Sequence, residues 1–199
     1  MAKSEQMRER LRRAEAYPYA IPGRSFVQVG ERTVYLDELP VLSGRRPLLA
    51  YGSNAAPEAL VRKLAAEPAT PLPLVRAELA DFDAVYSNHL SPYGAVPATL
   101  HPSPGTALTV FVAFPTEAQR LLLSASEPNY EERRLTGISC RPELGEPLPE
   151  LDAFISRHGP LLLDGAPVAL SAIAARGRRF AELDQTAAKR RRATRASRP

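Results

Sequence analysis

The sequence is poor in the residues that build disulfides and metal clusters. Among its 199 residues it has one cysteine, Cys140, three histidines and no tryptophan. A single cysteine excludes an intrachain disulfide framework and any zinc site made of several cysteines. Three histidines scattered along the chain also disfavour a histidine-based metal site. We expect Cys140 to be a small buried side chain rather than a nucleophile.

Long apolar runs are missing as well. No stretch approaches the roughly 18 uncharged apolar residues of a membrane span, and the N-terminal segment MAKSEQMRERLRR is charged where a secretory signal would be apolar. We therefore expect a soluble, cytoplasmic protein with no membrane partner. The composition, 44% hydrophobic and 24% charged residues, is typical of a globular domain with a sizeable core.

The net charge of +4 is concentrated at the C-terminus. The last eleven residues hold six basic side chains and no acid: Lys189, Arg190, Arg191, Arg192, Arg195 and Arg198. Residues 1–188 then hold 20 basic and 22 acidic side chains, a net charge of −2. A mildly acidic body disfavours a broad nucleic-acid surface. The basic segment is the one candidate for nucleic acid, and a solvated tail is the simpler interpretation.

The pattern of turns and apolar residues divides the chain into three segments. Residues 1–46 predict an N-terminal extension made of an exposed helix over 4–16 and a hairpin over 25–36. Residues 47–188 predict the main domain, and residues 189–199 a disordered basic tail. The oligomeric state is left open by the sequence.

Within the main domain, short strands and helices mix without a regular βαβ alternation. Strands are predicted at 48–51, 72–79, 82–86, 96–100, 108–114, 134–140 and 161–163. Thr116 and Gln119 form a capping box for a helix that runs to about Ser126. Two further helices are predicted, at 151–157 and from Pro167 to about Lys189. The mixture favours an α+β fold with a small, largely antiparallel sheet or barrel.

The tetrapeptide Tyr51-Gly52-Ser53-Asn54 lies between a predicted strand and a helix that begins at Pro57. Backbone N–H groups of such a loop, with the N-terminus of the next helix, would point at a common anion, and a carboxylate is a natural guest. The alternative is a purely structural turn, in which Gly52 takes a strained conformation and Ser53 or Asn54 caps the helix.

Further motifs follow this loop in a characteristic order. They are Ala98-Thr99-Leu100 with Gly105, the apolar strand 110–114, a helix, and then Glu127-Pro128-Asn129-Tyr130. The order resembles the gamma-glutamyl cyclotransferase superfamily over roughly residues 47–185. Members of that family share a Tyr-Gly-Ser-Asn loop, an A-T-[LI]-x-x-x-x-G stretch and a glutamate near the end of a helix. The family usually has glycine after this glutamate, whereas the chain has Pro128. This difference affects the backbone next to Glu127 and hence the direction of its side chain.

The resemblance implies a compact mixed barrel with surrounding helices, and an enzyme that cyclises a gamma-glutamyl group to 5-oxoproline with release of an amine. By position, residues 51–54 match the substrate-binding loop and Glu127 matches the catalytic acid/base. No metal or organic cofactor is implied. The chemistry suits these residue types, because the substrate's own amine attacks its γ-carbonyl and a single carboxylate can remove and return the proton.

Two more side chains are candidates for substrate binding. His89 lies in the polar run Tyr86-Ser87-Asn88-His89 at the end of a predicted strand, where a histidine could donate to a substrate or tune the base. Tyr130, three residues after Glu127, could hydrogen-bond the ligand. For both residues the alternative is simple packing at the rim of the barrel.

Three functions are compatible with these features. The leading hypothesis is a gamma-glutamyl cyclotransferase-like enzyme acting on a small gamma-glutamyl amine or amide. The first alternative is a non-catalytic relative that binds a small carboxylate, and the second is an interaction protein that uses its basic segment. The sequence does not determine which amine is released, and amino acids, peptides, polyamines and other amines are all compatible with it.

Overall fold

The computed structural model describes residues 2–196 and the side chains of residues 4–193. In chain order the elements are α1 (Ala2–Glu15), β1 (Phe26–Val29), β2 (Arg32–Tyr35), β3 (Leu48–Ala50), a 3₁₀ helix (Ser53–Ala55), α2 (Pro57–Lys63), β4 (Leu72–Tyr86), β5 (Ala98–Ala113), α3 (Glu117–Ala125), β6 (Tyr130–Pro142), β7 (Leu148–Ser156), β8 (Leu162–Leu163), β9 (Ala166–Pro167), β10 (Ala169–Leu170), β11 (Ala175–Arg176), β12 (Glu182–Leu183) and α4 (Gln185–Ala196).

Five strands close into a barrel. The pairing runs β5-β3-β7-β6-β4, and β4 pairs back onto β5. The β3–β7 pair is parallel, whereas the other four pairs of the ring are antiparallel. The α+β prediction, with a small mixed and largely antiparallel barrel and surrounding helices, is confirmed.

Strand β3 is buried on both of its faces. Because successive side chains of a strand point in opposite directions, Leu49 packs in the core cluster that contains Val75 and Val112. Leu48 and Ala50 pack in a second cluster, with Leu60 of α2 and Leu123 of α3 among its members. The short apolar run before the Tyr51 loop is thereby fixed between two packed layers, which gives the loop a rigid base.

Strands β4 and β5 are each continuous where the sequence predicted two shorter strands. They pair antiparallel from Leu74–Ala113 to Tyr86–Ala98, with an irregularity at Asp81. Asp81 has a φ of +63°, and its Oδ1 accepts a hydrogen bond of 2.8 Å from the Gly105 N–H. Residues 103–106 of β5 lie opposite the single residue Asp81, so the Pro-Gly segment is accommodated as a bulge within β5 and does not end the strand.

The capping box of α3 is present as predicted, with the Thr116 side chain accepting from the Gln119 N–H and the Gln119 side chain accepting from the Thr116 N–H. The predicted helix at 151–157 is wrong, because this segment is part of β7 and pairs with β6 and β3. A short apolar run does not distinguish a buried strand from a helix, and here the pairing partners on both sides decide.

The predicted helix from Pro167 to Lys189 is also wrong. Its first part forms the short strands β9 to β12, and Ala169 N–H donates to Ala181 O instead of a carbonyl four residues earlier. Gly177 has a φ of +65°, which is incompatible with a helix interior. A helix begins at Gln185 and continues to Ala196, so residues 189–196, expected in a disordered tail, are helical. Residues 197–199 lie outside the described residues.

Residues 1–46 are joined to the barrel rather than appended to it. The predicted helix and hairpin form, and β1 pairs with β4 at the edge of the sheet. Tyr17 and Tyr19, just after α1, are buried in the main core cluster, and α1 contacts α4. None of the helices in residues 2–196 has the length and apolar character needed to cross a membrane.

Candidate active site

A cavity of about 670 Å³ opens between α1, the loop 51–54, one face of α2, the end of α3 and the segment 89–93. This volume is in the range of small-molecule sites. The cavity is lined by all seven residues that the sequence singled out: Tyr51, Gly52, Ser53, Asn54, His89, Glu127 and Tyr130. The structure therefore brings the predicted site together, while the roles of these residues stay predictions.

The Tyr51 loop follows directly from β3. The Tyr51 side chain is buried and its hydroxyl donates to the Phe154 carbonyl of the neighbouring strand β7. Gly52 then precedes the 3₁₀ helix, and neither this helix nor α2 has a side-chain N-cap. The structural alternative required Ser53 or Asn54 to cap a helix, and neither does. Both residues line the cavity.

Asn54, Lys63 and Glu127 form a connected polar cluster at the cavity wall. The Lys63 Nζ donates to Glu127 Oε1 at 2.5 Å and to Asn54 Oδ1 at 2.7 Å, and Asn54 Nδ2 donates to the same Oε1 at 3.2 Å. The side chains of Lys63 and Glu127 are 16% and 15% exposed. Despite Pro128, the Glu127 carboxylate is thus oriented towards the loop that precedes α2.

If the reaction that the resemblance implies takes place, replacing Lys63 with methionine should lower its kcat by about ten- to a hundredfold, the cost of removing hydrogen bonds to a charged group. The reason is positional, because without the ammonium Glu127 loses its shortest contact and Asn54 loses the bond that fixes its amide. Steady-state kinetics on the purified variant would measure this. Lys63→Arg keeps the charge and should retain more of kcat, and equal activity of wild type and Lys63→Met would contradict the positioning role.

Ala98, the first residue of the Ala-Thr-Leu motif, is held by two tyrosines at the cavity floor. Its N–H donates to Tyr17 Oη at 2.8 Å, and its carbonyl accepts from Tyr130 Oη at 2.7 Å. Burial raises the pKa of both phenols well above the ordinary value, so both remain protonated at neutral pH. The backbone of Ala98 is thus held on both sides by tyrosine hydroxyls, and the role of Tyr130 towards a ligand stays a prediction.

Gly52 is constrained by the space around it. A Cβ at this position would lie 2.8 Å from Tyr17 Oη and 3.4 Å from Ala98 Cβ. The Tyr17 hydroxyl is the end of a rigid, buried side chain that is already hydrogen-bonded. Only glycine therefore fits between β3 and this tyrosine without a shift.

Gly52→Ala should destabilise the protein by about 1–3 kcal/mol, the usual cost of overpacking, and displace the loop from the cavity. Chemical denaturation gives the free energy of unfolding. Tyr17→Phe removes the obstructing oxygen, so the double variant should be little less stable than Tyr17→Phe alone. Additive losses in the double variant would show that Gly52 is constrained by something other than Tyr17.

His89 is 7% exposed and lies at the rim of the cavity. Its Nδ1 is hydrogen-bonded to Ser87 Oγ at 2.7 Å, and its ring stacks on His158 at 4.7 Å and meets Tyr130 edge-on at 5.6 Å. Burial lowers the pKa of His89 to about 4, assisted by His158 and Arg192. The imidazole is therefore neutral at physiological pH, and the contacts favour packing at the rim over a role as a charged donor.

The sequence analysis missed the cationic side chains of the site. Ala59, Arg62 and Lys63 all line the cavity, and the spacing 59, 62, 63 marks one face of α2, which was a usable signal. Arg10 and Arg13 of α1 also line it. No local pattern places α1 beside the Tyr51 loop, since the two meet only through tertiary packing.

The chemistry of the site is that of acids, bases and hydrogen-bond donors. Within residues 2–196, no three His, Cys, Asp or Glu side chains gather in the way that a metal ion requires. Cys140 is buried, and burial raises the pKa of its thiol to about 12, as expected for a packing residue. The polar groups at the cavity wall include the Glu127 carboxylate, the Asn54 amide, the Lys63 ammonium and the guanidinium groups of three arginines.

Neither the protein-family models nor the curated proteins include a match to this chain. Some solved structures do match this chain. In structure, the chain is similar to a gamma-glutamyl cyclotransferase. The two share 19% sequence identity with a TM-score of 0.46, over 57% of this chain and 68% of the other. The chain is also similar to an uncharacterized protein from Homo sapiens, at 18% identity and a TM-score of 0.43, with the same coverage.

Proposed function

We propose that the protein is a gamma-glutamyl cyclotransferase-like enzyme that converts a small gamma-glutamyl amide or amine into 5-oxoproline and a free amine. The observation that carries this proposal is the contact between Asn54 of the loop and Glu127, at 3.2 Å across one cavity. Residues 54 and 127 are 73 positions apart in the sequence, and the fold brings them together.

The reaction needs little from the protein beyond positioning and one proton carrier. The α-amine of the glutamyl group forms a bond to its own γ-carbonyl carbon, and closing a five-membered ring within one molecule already lowers the barrier. The loop 51–54 and Lys63 would hold the α-carboxylate so that the amine is folded back onto the carbonyl. Glu127 would take the proton from the attacking amine.

The second half of the reaction breaks the bond between the γ-carbonyl carbon and the leaving nitrogen. Glu127 would return its proton to that nitrogen, so that 5-oxoproline and a neutral amine are formed with no net gain or loss of protons. The oxygen of the tetrahedral intermediate requires donors, and backbone N–H groups at the start of the 3₁₀ helix are the nearest supply.

The experiment is to measure 5-oxoproline release by the purified protein from gamma-glutamyl amino acids, gamma-glutamyl amines and glutathione. Release from at least one substrate, linear with enzyme concentration, is the expected result. If no substrate is turned over while 5-oxoproline or glutamate raises the melting temperature, the enzymatic proposal is wrong. That outcome favours a non-catalytic protein that binds a small carboxylate.

A further inference from the structure

Positively charged side chains outnumber negatively charged ones in the lining of the cavity. Among the described residues, the lining includes four cationic side chains and one carboxylate: Arg10, Arg13, Arg62, Lys63 and Glu127. Lys63 is paired with Glu127, and Arg62 is paired at 2.8 Å with Glu58, four residues earlier on α2. Within residues 4–193, Arg10 and Arg13 have no carboxylate in salt-bridge contact.

The two unpaired arginines are fixed against a single loop. They lie three residues apart and so share one face of α1. The Arg13 guanidinium lies 4.6 Å from the centre of the Tyr93 ring, and Arg10 donates to the carbonyl of Pro92. The Arg13 Nε is buried without a hydrogen-bond partner. A guanidinium stacked on a ring with unused donors is well prepared to bind a planar carboxylate.

The pair formed by Arg10 and Arg13 comes from a different part of the fold than the cluster around Glu127. Asn54, Lys63 and Glu127 come from the loop after β3, from α2 and from the end of α3, whereas Arg10 and Arg13 come from α1 and contact the segment 91–93. If the glutamyl end occupies the first cluster, the leaving group extends from the γ-carbonyl into the remaining cavity, which α1 covers.

We propose that Arg13, assisted by Arg10, binds a carboxylate on the leaving group. The preferred substrates are then gamma-glutamyl amino acids or peptides with a free carboxylate. A leaving group that carries a second ammonium is disfavoured, because it would place a cation beside two unpaired arginines. The role assigned to Arg13 rests on the proposed function and narrows the leaving group that the sequence left open.

Three substrates of nearly equal size test the charge preference. They are gamma-glutamyl-alanine, gamma-glutamyl-alaninamide, and 1,2-diaminopropane that carries the gamma-glutamyl group on the nitrogen at C2. They differ only in a negative, neutral or positive group at the same position. We expect kcat/KM for the acid to exceed that for the amide by about ten- to a hundredfold, with the cationic substrate slowest. Equal values for the acid and the amide would overturn the proposal.

The variant Arg13→Gln should bring the acid-to-amide ratio of kcat/KM close to one, mainly through a higher KM for the acid. Arg12→Gln is the matched control, because Arg12 is on the same helix, 67% exposed and paired with Glu9. Its ratio should equal that of the wild type. If Arg13 had a purely structural role, Arg13→Gln would lower kcat/KM for the acid and the amide equally. The acid-to-amide ratio would then be unchanged, which would refute carboxylate recognition.

A binding measurement separates failure of this inference from failure of the proposed function. If neither the three compounds nor the wider panel of gamma-glutamyl amino acids, gamma-glutamyl amines and glutathione releases 5-oxoproline, the proposed function is wrong. Titration calorimetry of the unmodified protein with gamma-glutamyl-alanine and its amide then tests recognition alone. Tighter binding of the acid, lost in Arg13→Gln, would support the assignment of Arg13. Equal affinities, or no binding of either compound, would overturn it.

Discussion

Replacing Glu127 with glutamine should lower the rate of 5-oxoproline release by about a hundred- to ten-thousandfold, the usual contribution of a general acid/base. Glutamine has almost the same shape as glutamate, and its side-chain oxygen can still accept from Asn54 and Lys63. It cannot take a proton from the attacking amine. The loss should therefore appear in kcat, with a smaller change in KM.

Binding provides the second readout for Glu127→Gln. Because the loop and Lys63 remain in place, the variant should still bind 5-oxoproline or a gamma-glutamyl compound, as measured by calorimetry. Its melting temperature should be close to that of the wild type. A loss of binding in parallel with activity would mean that Glu127 holds the substrate and that another group carries the proton.

Glu131→Gln is the matched control for this experiment. It makes the same chemical change four residues further along the chain, where the carboxylate is 47% exposed and paired with Arg133 on the barrel surface. We expect its turnover to be within a factor of two of the wild type, since surface ion pairs contribute little. Full activity of Glu127→Gln, with Glu131→Gln also active, would exclude Glu127 as the proton carrier.

Local sequence signals predicted the parts of this structure that local interactions determine. The capping box of Thr116 and Gln119 sets the start of α3, and Pro57 sets the start of α2. The loop of residues 51–54 follows a strand whose apolar run is buried on both faces. Because these signals place α2 and α3 correctly, they also place Asn54 and Glu127 at the ends that face the cavity.

The parts that were wrong depend on contacts between distant residues. Residues 151–154 are fully or almost fully buried, so no polar face reveals their period, and pairing with β3 and β6 makes them a strand. In the C-terminal region, Gly177 approaches Gly105 so closely that an added Cβ would lie 2.6 Å from the Gly105 carbonyl oxygen. That contact joins residues 72 positions apart, which no local pattern contains.

The same limit applies to the site. The resemblance supplied the loop and the glutamate, because both lie in motifs of the shared order. Lys63 and Arg13 lie outside those motifs. The face of α2 could have revealed Lys63, but Arg13 becomes part of the cavity only because the chain after α1 enters the barrel core at Tyr17. Recognition of the leaving group is therefore the feature that required the tertiary structure.

The position of Glu127 also depends on how α3 is anchored to the barrel. Arg120 of α3 is 5% exposed at its side chain and contacts two carboxylates, Glu132 of β6 and Asp152 of β7. Asp152 is 7% exposed. Seven residues after Arg120, the chain reaches Glu127. This buried ion cluster therefore fixes the helix from which the candidate acid/base extends.

Arg120→Met should lower the free energy of unfolding by about 3 kcal/mol, because it removes the closest cationic partner of the buried Asp152 carboxylate. Asp152 would retain Arg134 at 3.5 Å and Arg46 at 3.9 Å, which places the expected loss at the lower end of the usual range. Chemical denaturation measures the change. Turnover should fall as well, since α3 loses its anchor.

Arg133→Met is the control, because Arg133 is 60% exposed in a surface pair and its loss should cost less than about 1 kcal/mol. Adding Asp152→Asn to Arg120→Met should recover part of the lost stability, since a neutral amide is less costly to bury than an unpaired carboxylate. Equal effects of Arg120→Met and Arg133→Met would mean that packing of the apolar face, and not the ion cluster, holds α3 and Glu127 in place.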